Sequence, residues 1–444
     1  MDRRIVISGL GPVSGLGLGI DPTWDSVIEG RCAIGRIEAF DPSGFPSQVG
    51  SEIKEFKVRN YVPKSYRKAT KVMARDIELA VAAADYAVRD AGIVTKGTDP
   101  DAEPTYDSTR IGCHIGAGLI AADVEELTTA LTEARDENGD FDIHKWGSEG
   151  MTHLTPLWLL KYLPNMLACH VTIIHDTQGP SNTITCGEAS AGLSIGESLR
   201  VIQRDQADTC FCGGAESRLN LLVYIRQLWT DRLNSSDNDN PQNAVRPFCK
   251  TAAGSAIGEG GGIVVVEALD TFEKRATSGG GATAYAEIVG FGASQSVNIP
   301  RRNIAPDPAG KGIAAAINTA LREAGIDAKA IDLIVPIGLG TSESDQAECA
   351  GLKTVFGDSL ANIPIITSKS MAGNCGAGAG GLDVCIAAKA LAEQKLPSVI
   401  NCKEPLDGIN AGSTPSRNAD LNHVLVFSGG LGGQNAALIL KRFG

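Results

Sequence analysis

The strongest constraint on the fold is a regular alternation of short β-branched runs with longer alanine-rich stretches. In "MARDIELAVAAADYAVRDAG", apolar residues recur at helical spacing from Ile77 to Val88, and Gly92 supplies a stop signal, which predicts a helix. Strands that alternate with helices predict an α/β fold with mostly buried strands. The first-half strand candidates are "RRIVISGLG", "TRIGCHIGAG", "SNTITCGEAS", "DTCFCGGAES" and "GGIVVVEAL".

A second set of similar units begins near residue 283. Its runs end in glycines or small residues, where the backbone must approach another group closely. The stretch "TFEKRATSGGGA" between the two sets has the charge and glycine content of a surface connection. We therefore expect two related α/β halves, residues 1–267 and 268–444. The second-half candidates are "TAYAEIVGFGAS", "IDLIVPIGLGTS", "IPIITSKSMAGNCGAGAGG" and "HVLVFSGGLGGQNAALIL".

Charge and hydropathy exclude several kinds of partner. The net charge of −12 argues against nucleic acid or an anionic membrane, because both require a basic face. No stretch reaches about eighteen uninterrupted apolar residues, and "MDRRIVISGLGPVSG" has neither a signal-peptide core nor a cleavage site. We therefore expect a cytoplasmic protein. The segment 133–156, polar and acidic, is interpreted as a solvated loop.

Neither a metal nor an organic cofactor is expected. The eleven cysteines are odd in number and lie mostly in apolar runs, which favours reduced core thiols. Cys210 and Cys212 lack a second ligand pair, so a zinc site is not predicted. The glycines of "GLGPVSG" follow a strand, but Pro12 interrupts the dinucleotide pattern, and the chain has no P-loop motif.

The stretch "TITCGEASAGLSIGES", residues 183–198, predicts a strand, a sharp turn at Gly187 and a helix start. A turn of this kind typically presents a serine or cysteine nucleophile, yet Glu188 stands at its tip. On a continuous strand Cys186 would face the same side as Glu188, but with no histidine partner it is interpreted as a structural thiol. Cys375 is interpreted in the same way.

From "RRIVISGLGPVSGLG" to "GGLGGQNAALILKRF" the chain resembles the β-ketoacyl-acyl-carrier-protein synthases, the condensing enzymes of fatty-acid and polyketide synthesis. The ordered motifs include "GPSNTITCGEASAG", "CGGAESRL", "DNDNPQNAVRPF", "GEGGGIVVVE", "GLGTSESDQAE", "TSKSMAGNCGAGAGG" and "GGLGGQN". The resemblance implies a thiolase-like fold, with two related α/β halves forming a layered αβαβα core.

That family holds an acyl group on a cysteine and uses two histidines to condense it with a malonyl unit on the carrier protein. Counting from either flanking motif places the cysteine position on Glu188. The two histidine motifs read "LGTSE" and "KSMAGNCGAGAG", which places Leu339 and Asn374 at the histidine positions. None of the six histidines falls in these segments.

Four further positions complete the family centre. Lys369 is expected to balance the charge of Glu188. Gly430 and Leu431, the latter at the family's aromatic gate, are expected to line the acyl pocket or an oxyanion hole, together with Thr341 and the amide of Asn374. A carboxylate is a poor acyl acceptor from a thioester and leucine cannot move a proton, so standard condensation is not expected.

A local excess of positive charge lies in residues 54–75, with eight lysines or arginines against one glutamate. Such a run is often only a solvated face. The resemblance, however, implies that Lys64, Arg67, Lys68 and Arg226 dock an acidic acyl carrier protein.

The leading hypothesis is a non-condensing subunit that resembles chain-length factors, in a homodimer or in a heterodimer with a catalytic ketosynthase. A strand such as "SNTITC" is expected to pair across the dimer. One alternative is an altered acyltransferase, condensing enzyme or malonyl decarboxylase that uses Glu188 and Asn374, and a weaker one is a protein that handles acyl-coenzyme A. A third interpretation is that Glu188 only caps a helix and fills a pocket that has no function.

Overall fold

The computed structural model describes residues 3–277, 282–296 and 305–444, in which helices and strands alternate as the sequence pattern predicts. The helices are α1 Ile20–Glu29, α2 Arg75–Asp90, α3 Val124–Glu133, α4 Ile143–Ser148, α5 Met166–His175, α6 Ser190–Gln203, α7 Leu221–Trp229, α8 Leu269–Arg275, α9 Lys311–Ala324, α10 Ser342–Phe356, α11 Lys369–Ala372 and α12 Ala379–Glu393. The strands are β1 Ile5–Ser14, β2 Gly17–Leu18, β3 Ile34–Arg36, β4 Val49–Ser51, β5 Ile111–Ala117, β6 Ser181–Ile184, β7 Thr209–Ser217, β8 Ile257–Ala268, β9 Ala286–Gln295, β10 Leu333–Val335, β11 Lys395–Leu396, β12 Arg417–Asn418, β13 His423–Gly429 and β14 Gln434–Arg442.

The order of the strands contains an internal repeat. The first half is ordered β6-β5-β7-β8-β1 and the second β9-β14-β13-β10, and the short pairing of β1 with β9 joins them. In each half two parallel strands, β5 and β7 or β10 and β13, are followed by two antiparallel neighbours, β8 and β1 or β14 and β9. The helices repeat as well, because β1-α2-β5-α6-β7-β8 corresponds in chain order to β9-α9-β10-α12-β13-β14.

The helices form three layers around these strands. Helices α6 and α12 pack against strands of both halves and against each other, so they form the middle layer. Helices α2 and α5 cover the outer face of the first half, and α9 and α10 cover that of the second. Each layer has its own apolar core. The layered αβαβα core expected from the resemblance is therefore present.

The elements predicted from the sequence form with two exceptions. The helix predicted within residues 73–92 is confirmed as α2, and Gly92, which follows it, has a φ of +65°. The predicted strand in "IPIITSKS" is wrong: Ile365 makes only an isolated bridge to Ile334, because Pro364 before it has no amide hydrogen to donate and α11 soon follows. The segment 133–156 is more ordered than a plain loop, since it contains α4, whose first turn is capped by Asp142.

None of the helices in the three described ranges is long and apolar enough to cross a membrane.

Candidate functional site

The turn between β6 and α6 carries Glu188 into the interior. Gly187 has a φ of +57°, which favours glycine, and a short 3-10 turn over Gly187–Ala189 leads into α6. Glu188 is 2% exposed. The predicted strand, turn and helix are confirmed, but β6 ends at Ile184, so Cys186 and Glu188 do not share one face of a continuous strand.

One carboxylate oxygen of Glu188 accepts hydrogen bonds from three side chains. Its Oε1 lies 3.0 Å from Nδ2 of Asn374, 3.2 Å from Nη1 of Arg218 and 3.3 Å from Nη2 of Arg232. Burial alone would raise the pKa of Glu188, but the positive charges of Arg232 and Arg218 and the Asn374 amide outweigh it and hold that pKa well below its ordinary value. The group is therefore a carboxylate whose charge is already compensated.

A second carboxylate completes a buried ion cluster, which we define as Glu188, Glu216, Arg218 and Arg232. Nε of Arg218 donates to Oε1 of Glu216 at 3.0 Å, and Oε2 of Glu216 accepts the backbone N–H of Ala377 at 2.6 Å. Two carboxylates and two guanidinium groups are formally neutral together. Because an unpaired buried charge is very costly, each member depends on the others.

Of the two arginines in this cluster, Arg232 has fewer carboxylates to compensate its positive charge. Its only carboxylate within 4 Å, among the described residues, is Glu188, whereas Arg218 contacts both glutamates. Burial, together with the like charge of Arg218, lowers the pKa of Arg232 below its ordinary value. For Arg218 the two glutamates outweigh the effect of burial, and its pKa is raised.

The amide of Asn374 is fixed in one orientation. Its Oδ1 accepts the backbone N–H of Gly376 at 3.0 Å, which directs Nδ2 toward Glu188. Its own backbone is held by the strand-like segment at Ala256 and Gly258, through hydrogen bonds of 2.8 and 3.1 Å. The hydrogen-bond donor expected for substrate at this position is therefore occupied by a protein carboxylate.

Leu339 lies on a loop after β10 that two acidic side chains of α10 hold in place. Leu339 is 3% exposed. Glu348 accepts the backbone N–H groups of Ile337 and Gly338 at 2.9 and 3.0 Å, and Asp345 accepts that of Gly340 at 3.2 Å. Burial raises the pKa of Asp345 to about 8 and that of Glu348 to about 7.

Lys369 does not balance Glu188, and this expectation is wrong. Its ammonium group pairs with Asp383, and both side chains are 1% exposed. Ser368 adds a hydrogen bond of 2.7 Å to the same carboxylate. Thr341, at the start of α10, is buried, and its hydroxyl has no hydrogen-bond partner within the described ranges.

A cavity of about 390 Å³ adjoins the buried ion cluster. Arg232 forms part of its wall, so the cluster and the cavity share one side chain. Gly430 and Leu431 lie on the hairpin between β13 and β14, where the N–H of Gly430 is bound to the carbonyl of Gln434 at 2.7 Å. Most of the remaining wall is apolar, including Ile313, Ile337, Leu339, Phe427 and Leu431.

Among the described residues, no histidine or cysteine side chain forms a hydrogen bond with the carboxylate of Glu188. Cys186 is half-buried, and burial raises the pKa of its thiol. Cys375 is fully buried, which raises its pKa to about 12. The three buried histidines bond elsewhere, each by a ring nitrogen to a hydroxyl at 2.8 Å: His114 to Ser198, His170 to Tyr66 and His175 to Thr95. Within the described residues, no group of three or more His, Cys, Asp and Glu side chains is placed to hold a metal ion.

Three of the predicted docking residues are exposed close together in the chain, one in a 3-10 turn and two in the link to the next such turn. These are Lys64, Arg67 and Lys68, and none of them forms an ion pair with a described carboxylate. Arg226 lies apart from them in the chain, on α7, where it is half-buried and its Nε donates to the carbonyl of Leu222 at 3.3 Å.

Sequence reasoning missed Arg218 and Arg232. A signal for the first was available in "CGGAESRL", where an acid and a base follow one another two residues apart at the end of a buried strand. Arg232 follows α7 in an irregular segment, and its sequence context carries no comparable signal. The acidic residues Asp345 and Glu348 stand three apart on α10, a spacing that places them on one helix face.

The fold and these motif positions define a class of protein. Residues 2–271 match the family model described as beta-ketoacyl synthase, N-terminal domain, and residues 285–403 match that described as beta-ketoacyl synthase, C-terminal domain. The chain belongs to the β-ketoacyl synthase family and has its thiolase-like α/β fold.

Individual relatives agree along the whole length of the chain. The protein is 31% identical over 444 residues to 3-oxoacyl-(acyl-carrier-protein) synthase 2 of Coxiella burnetii (strain RSA 493 / Nine Mile phase I), covering 99% of each chain. A solved structure of the ishigamide ketosynthase/chain length factor superposes with a TM-score of 0.83 at 26% identity, covering 100% of each chain. A type II PKS acyl-carrier protein in complex with its ketosynthase bound to the hexaketide gives 0.82 at 22% identity, again covering 100% of each chain.

Proposed function

We propose that this protein is a non-condensing member of the β-ketoacyl synthase family, which binds acyl chains carried by an acyl carrier protein and acts in the manner of a chain-length factor. The observation that carries the proposal is the state of Glu188. At the position assigned to the nucleophile, its carboxylate is buried and bound by Arg218, Arg232 and Asn374. A charge compensated in this way is a structural group and not an acyl acceptor.

The neighbouring positions support the same conclusion. A condensing centre needs a group that moves a proton and donors aimed at the developing oxyanion. Leu339 has no ionisable group, the Asn374 amide is bound to Glu188, and the Gly430 N–H closes its own hairpin. Two of the donors that an oxyanion could use here, the Asn374 amide and the Gly430 N–H, therefore already have protein acceptors.

What remains is a site suited to binding. The cavity of about 390 Å³ has a mainly apolar wall, and an apolar cavity of this size accommodates a small hydrophobic chain. Leu431 stands at its wall, where a larger aromatic gate is expected in the family. The cavity, with a charge-compensated carboxylate at the proposed nucleophile position, fits a subunit that shapes an acyl tunnel.

Docking of the carrier protein is proposed on the basic segment 54–75. Beside the exposed Lys64 and Lys68, a surface groove is lined by Lys57, Arg59, Arg67 and Lys71, with Glu78 as its one acidic side chain. Within the described ranges, these four bases have no ion pair, so their charge is available to an acidic partner. The curated relative in Coxiella burnetii carries the acyl carrier protein in its name.

A partner subunit is proposed along β6. This strand is the outer strand of the first half, and Ser181 and Asn182 on it are exposed. Ile173, 60% exposed, lies on α5, which packs beside β6, and Leu159, 58% exposed, lies on a 3-10 turn that packs against α5. An exposed strand edge flanked by apolar residues is a typical protein interface. The partner is a second copy or a catalytic ketosynthase.

We further propose that the protein works in the cytoplasm. All eleven cysteines are unpaired in the structure, as expected in a reducing compartment.

The test is mass spectrometry of the purified protein after incubation with acyl-loaded and malonyl-loaded carrier protein. We expect a non-covalent complex, no gain of acyl mass on the protein and no carbon dioxide release above the rate of the carrier alone. Acyl mass that maps to Glu188 or Cys186 would contradict the proposal and favour an altered transferase. Decarboxylation that depends on Asn374 would instead favour a malonyl decarboxylase.

A further inference from the structure

The buried ion cluster is a row of alternating charges that ends at the cavity. Glu216 pairs with Arg218, which also pairs with Glu188. Glu188 in turn pairs with Arg232, and of these four side chains only Arg232 lines the cavity. The positive end of the row therefore faces the cavity, and the next charge in the alternation, which would be negative, falls inside it.

Most of the hydrogen-bonding capacity of the Arg232 guanidinium is unused within the described residues. The residue is 9% exposed, its Nη2 lies 3.3 Å from Glu188, and neither its Nε nor its Nη1 has an acceptor there. Arg218, by contrast, uses Nε for Glu216 at 3.0 Å and Nη1 for Glu188 at 3.2 Å. Because a buried donor without an acceptor costs free energy, the unused N–H groups of Arg232 favour an acceptor supplied by a ligand.

The backbone around Arg232 holds this side chain in place. The carbonyl of Arg232 accepts the N–H of Ser255 at 2.7 Å, and the carbonyl of Ser255 accepts the N–H of Asn234 at 2.8 Å. Asp231, just before it, has a φ of +55°, which is an uncommon conformation for a residue other than glycine. The guanidinium is therefore preorganised, and little conformational freedom is lost when a ligand binds to it.

Two acidic side chains also line the cavity, and the backbone already engages both. Glu348 accepts two N–H groups of the Leu339 loop, and burial raises its pKa to about 7, so near neutral pH it is partly protonated. Asp307 accepts two backbone N–H groups beside the start of α9, at 3.1 and 3.0 Å. Neither carboxylate forms an ion pair with Arg232.

We propose that the cavity takes an aliphatic chain that ends in a carboxylate, and that this carboxylate binds Arg232. The inference rests on the proposed function in one respect, that the cavity holds an aliphatic chain. The chain packs against apolar wall residues such as Ile313, Leu339 and Phe427, and the guanidinium donates charge-assisted hydrogen bonds to its end. Arg232 thereby gains the second acidic partner that Arg218 already has. The ligand is either a free carboxylic acid of medium length or a carrier-bound acyl chain with a carboxylate at its far end.

The test compares ligands that differ only at the end of the chain. One arm titrates the wild-type protein with decanoate and with 1-decanol in a calorimeter. The other measures binding of carrier protein loaded with a decanoyl chain or with the corresponding ω-carboxyacyl chain. In at least one arm we expect the carboxylate form to bind at least about tenfold more tightly, because hydrogen bonds to charged groups contribute more than those to neutral groups.

The two arms distinguish the two sources of the carboxylate. A preference for decanoate identifies a free acid as the ligand, and a preference confined to the loaded carrier protein identifies a carrier-bound chain. If the neutral form binds as tightly as the carboxylate form in both arms, this inference is overturned and the proposed function stands. If no chain binds in either arm, the proposed function fails as well.

Variants of Arg232 assign the preference to its guanidinium. Arg232→Met should bind both forms equally, whereas Arg232→Lys keeps the positive charge and should keep part of the preference. Glu188→Gln with Arg232→Met removes both partners of the ion pair and should also lack the preference, and binding of the neutral form by each variant shows that its cavity is intact. Arg275→Met is the matched control, because Arg275 is also largely buried and paired, with Glu267, but lies on α8. A preference that survives in both proteins carrying Arg232→Met would refute the assignment.

Discussion

The side-chain nitrogen of Asn374 lies 3.0 Å from Oε1 of Glu188, and this hydrogen bond joins the two halves of the fold at the candidate site. Glu188 comes from the first turn before α6, and Asn374 from the loop after α11. Both are buried, at 2% and 4% exposure. The amide that we propose to stand at a substrate-binding position of the family is thus engaged in a contact within the protein.

Loss of the charge at Glu188 should destabilise the fold. Glu188→Gln leaves Arg218 and Arg232 buried without their shared carboxylate, and removal of one partner of a buried ion pair typically costs about 3–5 kcal/mol. We expect the free energy of unfolding, measured by urea denaturation, to fall by about 3 kcal/mol.

The matched control for this change is the double variant Glu188→Gln with Arg232→Met. Removing the less well compensated arginine together with the carboxylate should recover part of the loss, since the pair interacts directly. A Glu188→Gln protein as stable as wild type would show that the cluster does not hold the site together.

Stability should fall as the pH rises from about 5 to about 8.5, because of Asp345. Its pKa is raised to about 8 in the folded protein, whereas an unfolded aspartate has a pKa of about 3.9. Between these values the folded state binds more protons than the unfolded state, so the free energy of unfolding decreases with pH. Asp345→Asn should show a smaller decrease when thermal unfolding is compared at the two ends of this range. Equal slopes for the two proteins would contradict the assignment.

The sequence predicts the parts of this site that depend on neighbouring residues in the chain, but not the parts that depend on residues distant in the chain. The turn at Gly187 and the buried tip at Glu188 follow from local patterns, and both are present in the structure. The charge partner does not follow, because the family resemblance implies Lys369, whereas in the structure Arg218 and Arg232 pair with Glu188. Arg232 and Glu188 are brought together only by the tertiary fold. Neither hydrophobic periodicity nor turn residues in the sequence predict a contact of this kind.

The same limit appears in the sheet. Strand β8 contains the apolar run of residues 263–266 and is evident from sequence, whereas "IPIITSKS" has the composition of a strand and does not become one. Its neighbours, Ile334 and Asn410, come from distant parts of the chain and bind it only at single points. Composition predicts that a segment is buried, but the number of strand partners is set by topology.

Charge reversal on the basic segment should weaken binding of the acyl carrier protein. Arg67→Glu with Lys68→Glu removes two exposed cations, and we expect the association rate to fall by about tenfold at low salt, with a smaller fall at high salt. The measurement is stopped-flow or surface-based kinetics at two ionic strengths. Arg322→Glu with Lys329→Glu, also exposed but on the second half, gives the same change in net charge and should bind normally. If both double variants bind equally, docking lies elsewhere.

The proposed interface along β6 can be tested at one backbone position. The N–H of Thr183 is bound to the side chain of its neighbour Asn182 at 2.8 Å, so it is not used to pair β6 with β5. Thr183→Pro removes this donor from the exposed edge and should convert a dimer to a monomer in analytical ultracentrifugation. Thr183→Val retains the N–H and should remain dimeric. A Thr183→Pro protein that stays dimeric would place the interface on another surface.

Restoring a cysteine alone should not restore condensation. Glu188→Cys places a thiol beside Arg218 and Arg232, whose charges favour a thiolate, but neither Leu339 nor Asn374 can assist decarboxylation. It also leaves both arginines without their carboxylate, so the variant should be less stable than wild type. The informative protein is Glu188→Cys with Leu339→His and Asn374→His, assayed for condensation of acyl and malonyl carrier protein. Because residues that act as a unit are strongly non-additive, we expect product only from this triple variant, and at a low rate while the arginines remain. Condensation by the unmodified protein would show that the present centre is catalytic. Condensation by Glu188→Cys alone would show that histidines at positions 339 and 374 are not required.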